Sequence, residues 1–305
     1  MAVSLRATGT TLEEAPASSA RDFITLMKPN VMQLVVFTGA VGLFLAPGTL
    51  HPLLMAVTLL AILVGAGASA AINNWYDVDI DTRMARTRNR PTAAGRIAAE
   101  DALGFGVVMA ILSVMVLGLA TNWLAAGLLA FTIGFYVFVY TMWLKRRTPQ
   151  NIVIGGAAGA LPPVVAWAAV TGTVDLLPVL MFLIVFLWTP PHFWALALYR
   201  SGDYAKVGVP MLPVVAGAEH TRDQILWYTV ALGVVTLLPT LTGQLGLVYG
   251  VLALALSGEF LRRAVQLRRS RSDVVAMRLF RFSIIYLFAV FLAMVVDRIL
   301  PLVLP

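Results

Sequence analysis

The chain has 305 residues, 60% of them hydrophobic and only 12% charged, with a mean hydropathy of +0.87 and a formal net charge of +7. A soluble domain carries about 25% charged residues, so half that share leaves too little polar surface to cover a globule in water, and a membrane protein is expected. The absence of cysteine excludes disulfides, iron–sulfur clusters, thiolate zinc sites and covalent c-type haem. The three histidines, His51, His192 and His220, are few for a protein-built transition-metal site, so any metal is expected to be hard and oxygen-bound.

Residues 1–22 are small and polar, with Glu13 and Glu14, and contain no apolar stretch of secretory-signal type. They are expected to form a disordered cytoplasmic tail ahead of a transmembrane domain over 23–305. A bilayer crossing needs about 20 apolar residues. Nine runs qualify: 28–46, 52–72, 103–120, 123–143, 152–170, 177–198, 224–241, 244–262 and 280–300. The expected fold is all-α, a polytopic bundle of about nine transmembrane helices.

The loops after the second, fourth, sixth and eighth runs are basic, and those after the first, third, fifth and seventh contain no Lys or Arg. Arg298 is the only base on the other side. The positive-inside rule makes the basic side cytoplasmic, with the N-terminus inside and the C-terminus outside. This spread of bases between apolar runs is a topological pattern and not a nucleic-acid footprint, so no nucleic-acid partner is expected and lipid is the surrounding medium.

After the second run comes Asn73-Asn74-Trp75-Tyr76-Asp77-Val78-Asp79-Ile80-Asp81. Asn73, Asp77 and Asp81 are spaced i, i+4, i+8, which lines three oxygen donors along one strip if the helix continues past its membrane end. Asp79 points the opposite way. Carboxylates on one strip repel unless cations neutralise them, and Mg²⁺ favours one or two carboxylates plus phosphate oxygens. Arg83, Arg86, Arg88 and Arg90 follow and can grip phosphate. The same residues also fit an ordinary solvated loop with capping Asn and Asp.

After the fourth run, Lys145-Arg146-Arg147-Thr148-Pro149-Gln150-Asn151 reads either as a topological anchor or as part of the mouth. The Gly155-Gly156 pair that follows is expected to allow close helix packing. The sixth run contains Pro190-Pro191, expected to kink its helix and free backbone groups. His192 beside them is either a structurally partnered histidine or a haem contact. The next loop, from Tyr199 and Arg200 through Asp203 and Lys206 to Pro213, repeats the order of acid, base and proline four helices after the first. It hints at two related halves. Asp203 is a candidate for a second Mg²⁺ and Lys206 for phosphate; the alternative is a lone loop aspartate.

At these residues the chain resembles the UbiA-type intramembrane prenyltransferases, through Asn73-x-x-x-Asp77-x-x-x-Asp81. Within that family it is similar to the haem-farnesylating branch, through Asn74 to Pro91, Thr148 to Ala157, Trp188 to Leu198, and Asp203-Tyr204 with Pro210 to Pro213. The resemblance runs from about Lys28 to the C-terminus. It implies a nine-helix bundle in a bacterial inner membrane with its active mouth on the cytoplasmic side. It further implies farnesyl diphosphate and haem b as substrates, haem O and diphosphate as products, and Mg²⁺ as cofactor. Asn73, Asp77, Asp81 and Asp203 would be the catalytic set, with Asp77, Asp81 and Asp203 on metal. Arg86, Arg90, Lys145, Asn151, His192, Tyr199 and Lys206 would contact substrate. Haem A synthase or oxidase assembly factors would receive the product. One departure stands out: the wider family often has Asp-x-x-x-Asp in the second loop, but position 207 is Val, which leaves a second metal site poorer in carboxylate. The competing expectations are a family enzyme with an aromatic or quinone-precursor acceptor, and a transporter or haem-handling assembly factor that needs neither Asp77 nor Asp81.

Overall fold

A computed structural model describes residues 18–303, with side chains as far as residue 300. Every regular element among the described residues is helical. Most of the expected tail, residues 1–17, lies outside them. The first helix, α1 (Ala20–Leu26), begins inside the expected tail because Ser19 and Asp22 form a reciprocal capping box at its start.

Lys28, in the left-handed conformation (φ 54°, ψ 60°), separates α1 from α2 (Pro29–Leu45), and the two helices meet at a 57° bend. Next come α3 (Pro52–Tyr76), the single turn α4 (Val78–Asp81) and α5 (Ala99–Ala120). α6 (Trp123–Gly134) continues without a break into a π-helical segment, Phe135–Leu144. The fifth run is divided at Leu161 into α7 (Asn151–Ala160) and α8 (Pro162–Thr171). α9 (Leu176–Tyr199) is followed by two short helices, α10 (Ser201–Lys206) and α11 (Leu212–Val215). The chain ends in three long helices: α12 (Gly217–Leu241), α13 (Leu247–Ser270) and α14 (Asp273–Val303).

All nine expected runs are thus helical. Seven helical stretches are long and apolar enough to cross a bilayer, or eight if the bent α1–α2 pair is one span. The shortfall from nine falls on α13, whose second half carries Glu259, Arg262 and Arg263. α9 passes through Pro190 and Pro191 as one continuous helix. The Thr189 hydroxyl, one residue before the prolines, donates to Val185 O within the same helix at 2.8 Å.

The span Asn151–Thr171 is the most deeply buried and forms the axis of the bundle. On one side α2, α3, α5, α6 and α8 share an apolar core around Ile62, Leu117, Leu129 and Val165. On the other, α9, α12, α13 and α14 share a second core around Met181, Ile184, Phe260, Tyr286 and Phe291. Lipid offers no hydrophobic drive for helix association, so contact depends on close packing. A Cβ at Gly42 of α2 would run into the Pro163 backbone of α8, and one at Gly106 of α5 would lie 2.6 Å from Ile72 on α3. The outer surface carries large apolar side chains such as Leu119, Leu241 and Leu247, as a lipid-facing surface requires.

The second core contains a buried polar chain in which Tyr286 Oη meets Thr236 at 2.9 Å and Ser257 at 3.1 Å, and Tyr249 Oη donates to Thr236 O at 2.7 Å. Nearby, Asp297 of α14 caps a different helix: its carboxylate accepts from Gly246 N at 2.6 Å and Tyr249 N at 3.0 Å, at the start of α13. Replacing such a cap typically costs about 1–2 kcal/mol. Asp297→Ala is therefore expected to lower the unfolding free energy in detergent by about that amount, with Asp297→Asn intermediate; an alanine variant as stable as the parent would remove the capping role.

Candidate active site

The acidic strip forms where α3 ends. Asp77 is the C-cap of α3 and departs from helical backbone (φ −98°, ψ 13°), so the helix does not simply run on as the spacing supposed. The ladder survives the break nonetheless: Asp77 N donates to Asn73 O at 3.0 Å and Asp81 N to Asp77 O at 2.8 Å. Asn73, Asp77 and Asp81 consequently stay in register on one strip.

All three are buried, Asp77 completely and Asp81 at 2% exposure. A buried carboxylate must be paired or it neutralises itself. Lys145, which directly follows the π-helical segment, forms a salt bridge with Asp77, and Arg146 reaches its other oxygen at 3.4 Å. Asn73 Nδ2 donates to Asp77 at 2.6 Å and to the Thr141 hydroxyl at 3.3 Å. Asn73 Oδ1 accepts from Lys28 at 2.8 Å. Asp81 receives Arg90 at 2.6 Å, and its backbone carbonyl receives the Thr87 hydroxyl at 3.0 Å. The loop after α4 thus folds back over the strip that precedes it.

Asp79 does point away, as its position in the helical repeat implied. It pairs with both terminal nitrogens of Arg146 at 2.8 and 2.7 Å, and Arg146 also bonds Tyr76 O at 2.9 Å and lies over the Tyr76 ring. Those bonds hold the Asp79 carboxyl below the ordinary carboxylate range. The pair therefore contributes stability above that range and loses it as pH falls through the lowered value. With Asp79 half exposed the contribution is small. The clamp ties the α3 terminus to the loop that carries Lys145.

The second loop meets the first through an apolar cluster. Ile80 and Met84 pack with Ile152, Ala197, Val209 and Met211, and Tyr204 and Val207 lie against them. Val207, where the wider family often has an acid, is thus a packing residue. Asp203 sits on α10, partly exposed, with Arg200 at 3.5 Å. Lys206, Arg86 and Tyr199 are exposed around this end. Asn151 opens α7 and is buried; its Nδ2 donates to Thr148 O at 2.7 Å, while its Oδ1 has no partner.

His192 is not brought to the strip. It faces α14, bonded through Nδ1 to the Ser283 hydroxyl at 2.6 Å and stacked between Trp188 and Phe280.

Sequence reasoning missed Lys28 and Thr141 as members of the site. Lys28 had been read as part of the first apolar run. Thr141 stands four residues before Lys145, a signal that has meaning only once the π-helical segment is known. That segment also carries Tyr136 and Tyr140, whose rings are 5.2 Å apart, with Tyr140 packed on Gly155 of α7.

Buried polar atoms without partners mark where a ligand or water is needed. Six such atoms occur among the described residues, and four belong to these loops: Asn74 Oδ1, Arg146 Nε, Asn151 Oδ1 and Arg200 Nε. Two buried carboxylates one turn apart, with an unpartnered carboxamide oxygen on the neighbouring element, make an all-oxygen donor set that suits a hard cation such as Mg²⁺. Among the described residues no three acidic or histidine side chains gather into a cage.

Residues 35–293 match the UbiA prenyltransferase family. The chain is 57% identical to the protoheme IX farnesyltransferase of Parvibaculum lavamentivorans over 293 residues, covering 95% of this chain and 92% of the relative. It is 59% identical to the enzyme of that name from Rhodopseudomonas palustris over 280 residues, 90% of each. Its fold is similar to a structure of a digeranylgeranylglyceryl phosphate synthase, with TM-score 0.77, 19% identity, and coverage of 92% of this chain and 98% of that one. It is also similar to a UbiA homologue from Archaeoglobus fulgidus bound to GPP and Mg²⁺, with TM-score 0.62, 17% identity, and coverage of 90% and 99%.

Removing one partner of a buried ion pair typically costs about 3–5 kcal/mol. Lys145→Met leaves Asp77 with Asn73 and Arg146 alone, so a loss of about 3 kcal/mol in unfolding free energy is expected. The double variant Lys145→Met/Asp77→Asn should recover most of it. Additive losses in that cycle would show that the two side chains are not coupled.

Proposed function

The chain belongs to the UbiA prenyltransferase family, and on that premise we propose that it transfers the farnesyl group of farnesyl diphosphate to a vinyl group of haem b, with addition of water, to give haem O and diphosphate. The observation that carries the reading is the buried strip of Asp77 and Asp81, each carboxylate already matched by a base, Lys145 and Arg90, at the mouth of an apolar bundle. The acceptor follows from the relatives that share well over half of their residues with this chain and bear the protoheme IX farnesyltransferase name.

Mg²⁺ would be held by Asp77 and Asp81, with Asp203 on the facing loop, and would neutralise charge on the departing diphosphate. Lys145 and Arg90 are positioned to hand their donors from the carboxylates to phosphate oxygens, and Arg86 and Lys206 supply further positive charge around the opening. Asn73 and Asn151 are the neutral groups that orient this shell. The apolar bundle takes the isoprenoid chain and keeps water from the allylic centre. The C–O bond of the diphosphate ester breaks with its electron pair leaving on diphosphate. The vinyl π electrons of haem b form the new C–C bond. Water then adds to the cation beside the pyrrole and releases a proton to solvent. No protein nucleophile is required, so catalysis rests on positioning and electrostatics. His192, bonded through Nδ1 to Ser283 of α14, stands apart from the diphosphate strip as the haem contact of this reading.

The positive-inside pattern supports a bacterial inner-membrane enzyme with this mouth on the cytoplasmic side. The product then passes to haem A synthase or to oxidase assembly factors.

Purified protein incubated with haem b, farnesyl diphosphate and Mg²⁺ should yield haem O, identified by mass. A prenylated benzoate, or no turnover by a folded sample, would contradict the reading. Asp77→Ala and Asp81→Ala should each lower turnover by about 10²–10³-fold while the protein still inserts in the membrane, as loss of a main electrostatic contact does.

A further inference from the structure

Lys28 has a costly conformation and an incomplete set of partners. It is one of only two non-glycine residues among the described ones with positive φ, the other being Arg271 at a helix end. A side chain in that conformation is disfavoured, and such strain persists where its surroundings over-determine it, often at functional positions.

The surroundings are specific. Leu26 is fully buried against Ala71, Ile97 and Ala102. Asn74 Nδ2 donates to Leu26 O at 3.0 Å, and Arg96 pairs with Asp22 at 2.8 Å. Met27 lies where a Cβ on Gly67 would otherwise go. Pro29 starts α2 at once, so the chain turns sharply at Lys28. These contacts fix the bend from both sides and deliver the Lys28 ammonium to the acidic strip. There it makes one hydrogen bond, to the neutral Asn73 Oδ1 at 2.8 Å, and among the described residues it forms no salt bridge. An ammonium group has three donors. Every other base on the strip, Lys145, Arg146 and Arg90, is matched to a carboxylate.

We propose that Lys28 is a further substrate-binding residue, a side-chain amine kept free of any carboxylate so that its remaining donors take an oxygen of the prenyl diphosphate. The assignment rests on the diphosphate reading of the strip.

The test uses the full-length protein in detergent with Mg²⁺ and the slowly reacting analogue farnesyl thiodiphosphate, followed by calorimetry. Lys28→Gly removes the amine and suits the left-handed backbone, so its melting temperature should equal or exceed that of the parent. Its haem b titration in the Soret band should be unchanged. Its Kd for the analogue should rise by about 10- to 100-fold, the usual effect of losing one charge-assisted hydrogen bond. Lys28→Arg should stay within about threefold, since the charge is kept. The loss should persist when both proteins also carry Asn73→Ala. A Kd for Lys28→Gly within twofold of the parent overturns the proposal. So does a loss that vanishes in the Asn73→Ala background, which would make Lys28 a positioning residue for Asn73 alone. Failure of the parent protein itself to bind the analogue would instead overturn the diphosphate reading, and this assignment with it.

Discussion

The structure turns on one constraint: a carboxylate, Asp77, stands completely buried at the end of an apolar helix. An unpaired charge there is untenable, so several elements must converge on it. α3 brings Asn73, the π-helical segment brings Thr141 and then Lys145, and the bend before α2 brings Lys28 to the Asn73 carboxamide. The loop after α4 completes the strip by placing Arg90 on Asp81. The resulting cluster is compensated, yet it retains unpartnered oxygens and guanidinium nitrogens at its edges. A Mg²⁺–diphosphate group offers both signs of charge and can satisfy donors and acceptors together.

The bundle serves this arrangement. Two separate cores flank the Asn151–Thr171 axis; small-residue contacts close the first and buried hydroxyl bonds tie the second. The two polar loops meet over the Ile80–Met84–Met211 cluster at one end of that axis.

The helices were legible because each crossing writes about 20 apolar residues into the chain. By length and hydropathy alone seven or eight of them pass as spans, because Glu259, Arg262 and Arg263 add charge to α13 and because α1 and α2 form a bent pair. The register of Asn73, Asp77 and Asp81 was legible from spacing, although the strip crosses a break at Asp77 that spacing cannot reveal. The partners were not: Lys28 lies 45 residues from Asn73, and Lys145 and Thr141 each lie 68 residues from the groups they meet. Such contacts depend on how helices pack. The direction of His192 was equally hidden, since rotation about α9 decides whether it faces the mouth or Ser283. Pro190-Pro191 signalled a kink, and both prolines lie inside the continuous α9.

On the proposed reading, Asp77 and its strip bind a divalent cation together with a diphosphate, and not separately. Mn²⁺ can stand in for Mg²⁺ and be counted by electron paramagnetic resonance in the presence and absence of farnesyl diphosphate. Without the diphosphate, Lys145 and Arg90 occupy the carboxylates and little Mn²⁺ should bind. With it, stoichiometric binding should appear, and Asp77→Asn should abolish it. Mn²⁺ held equally well without the diphosphate, or undiminished in Asp77→Asn, would contradict the account.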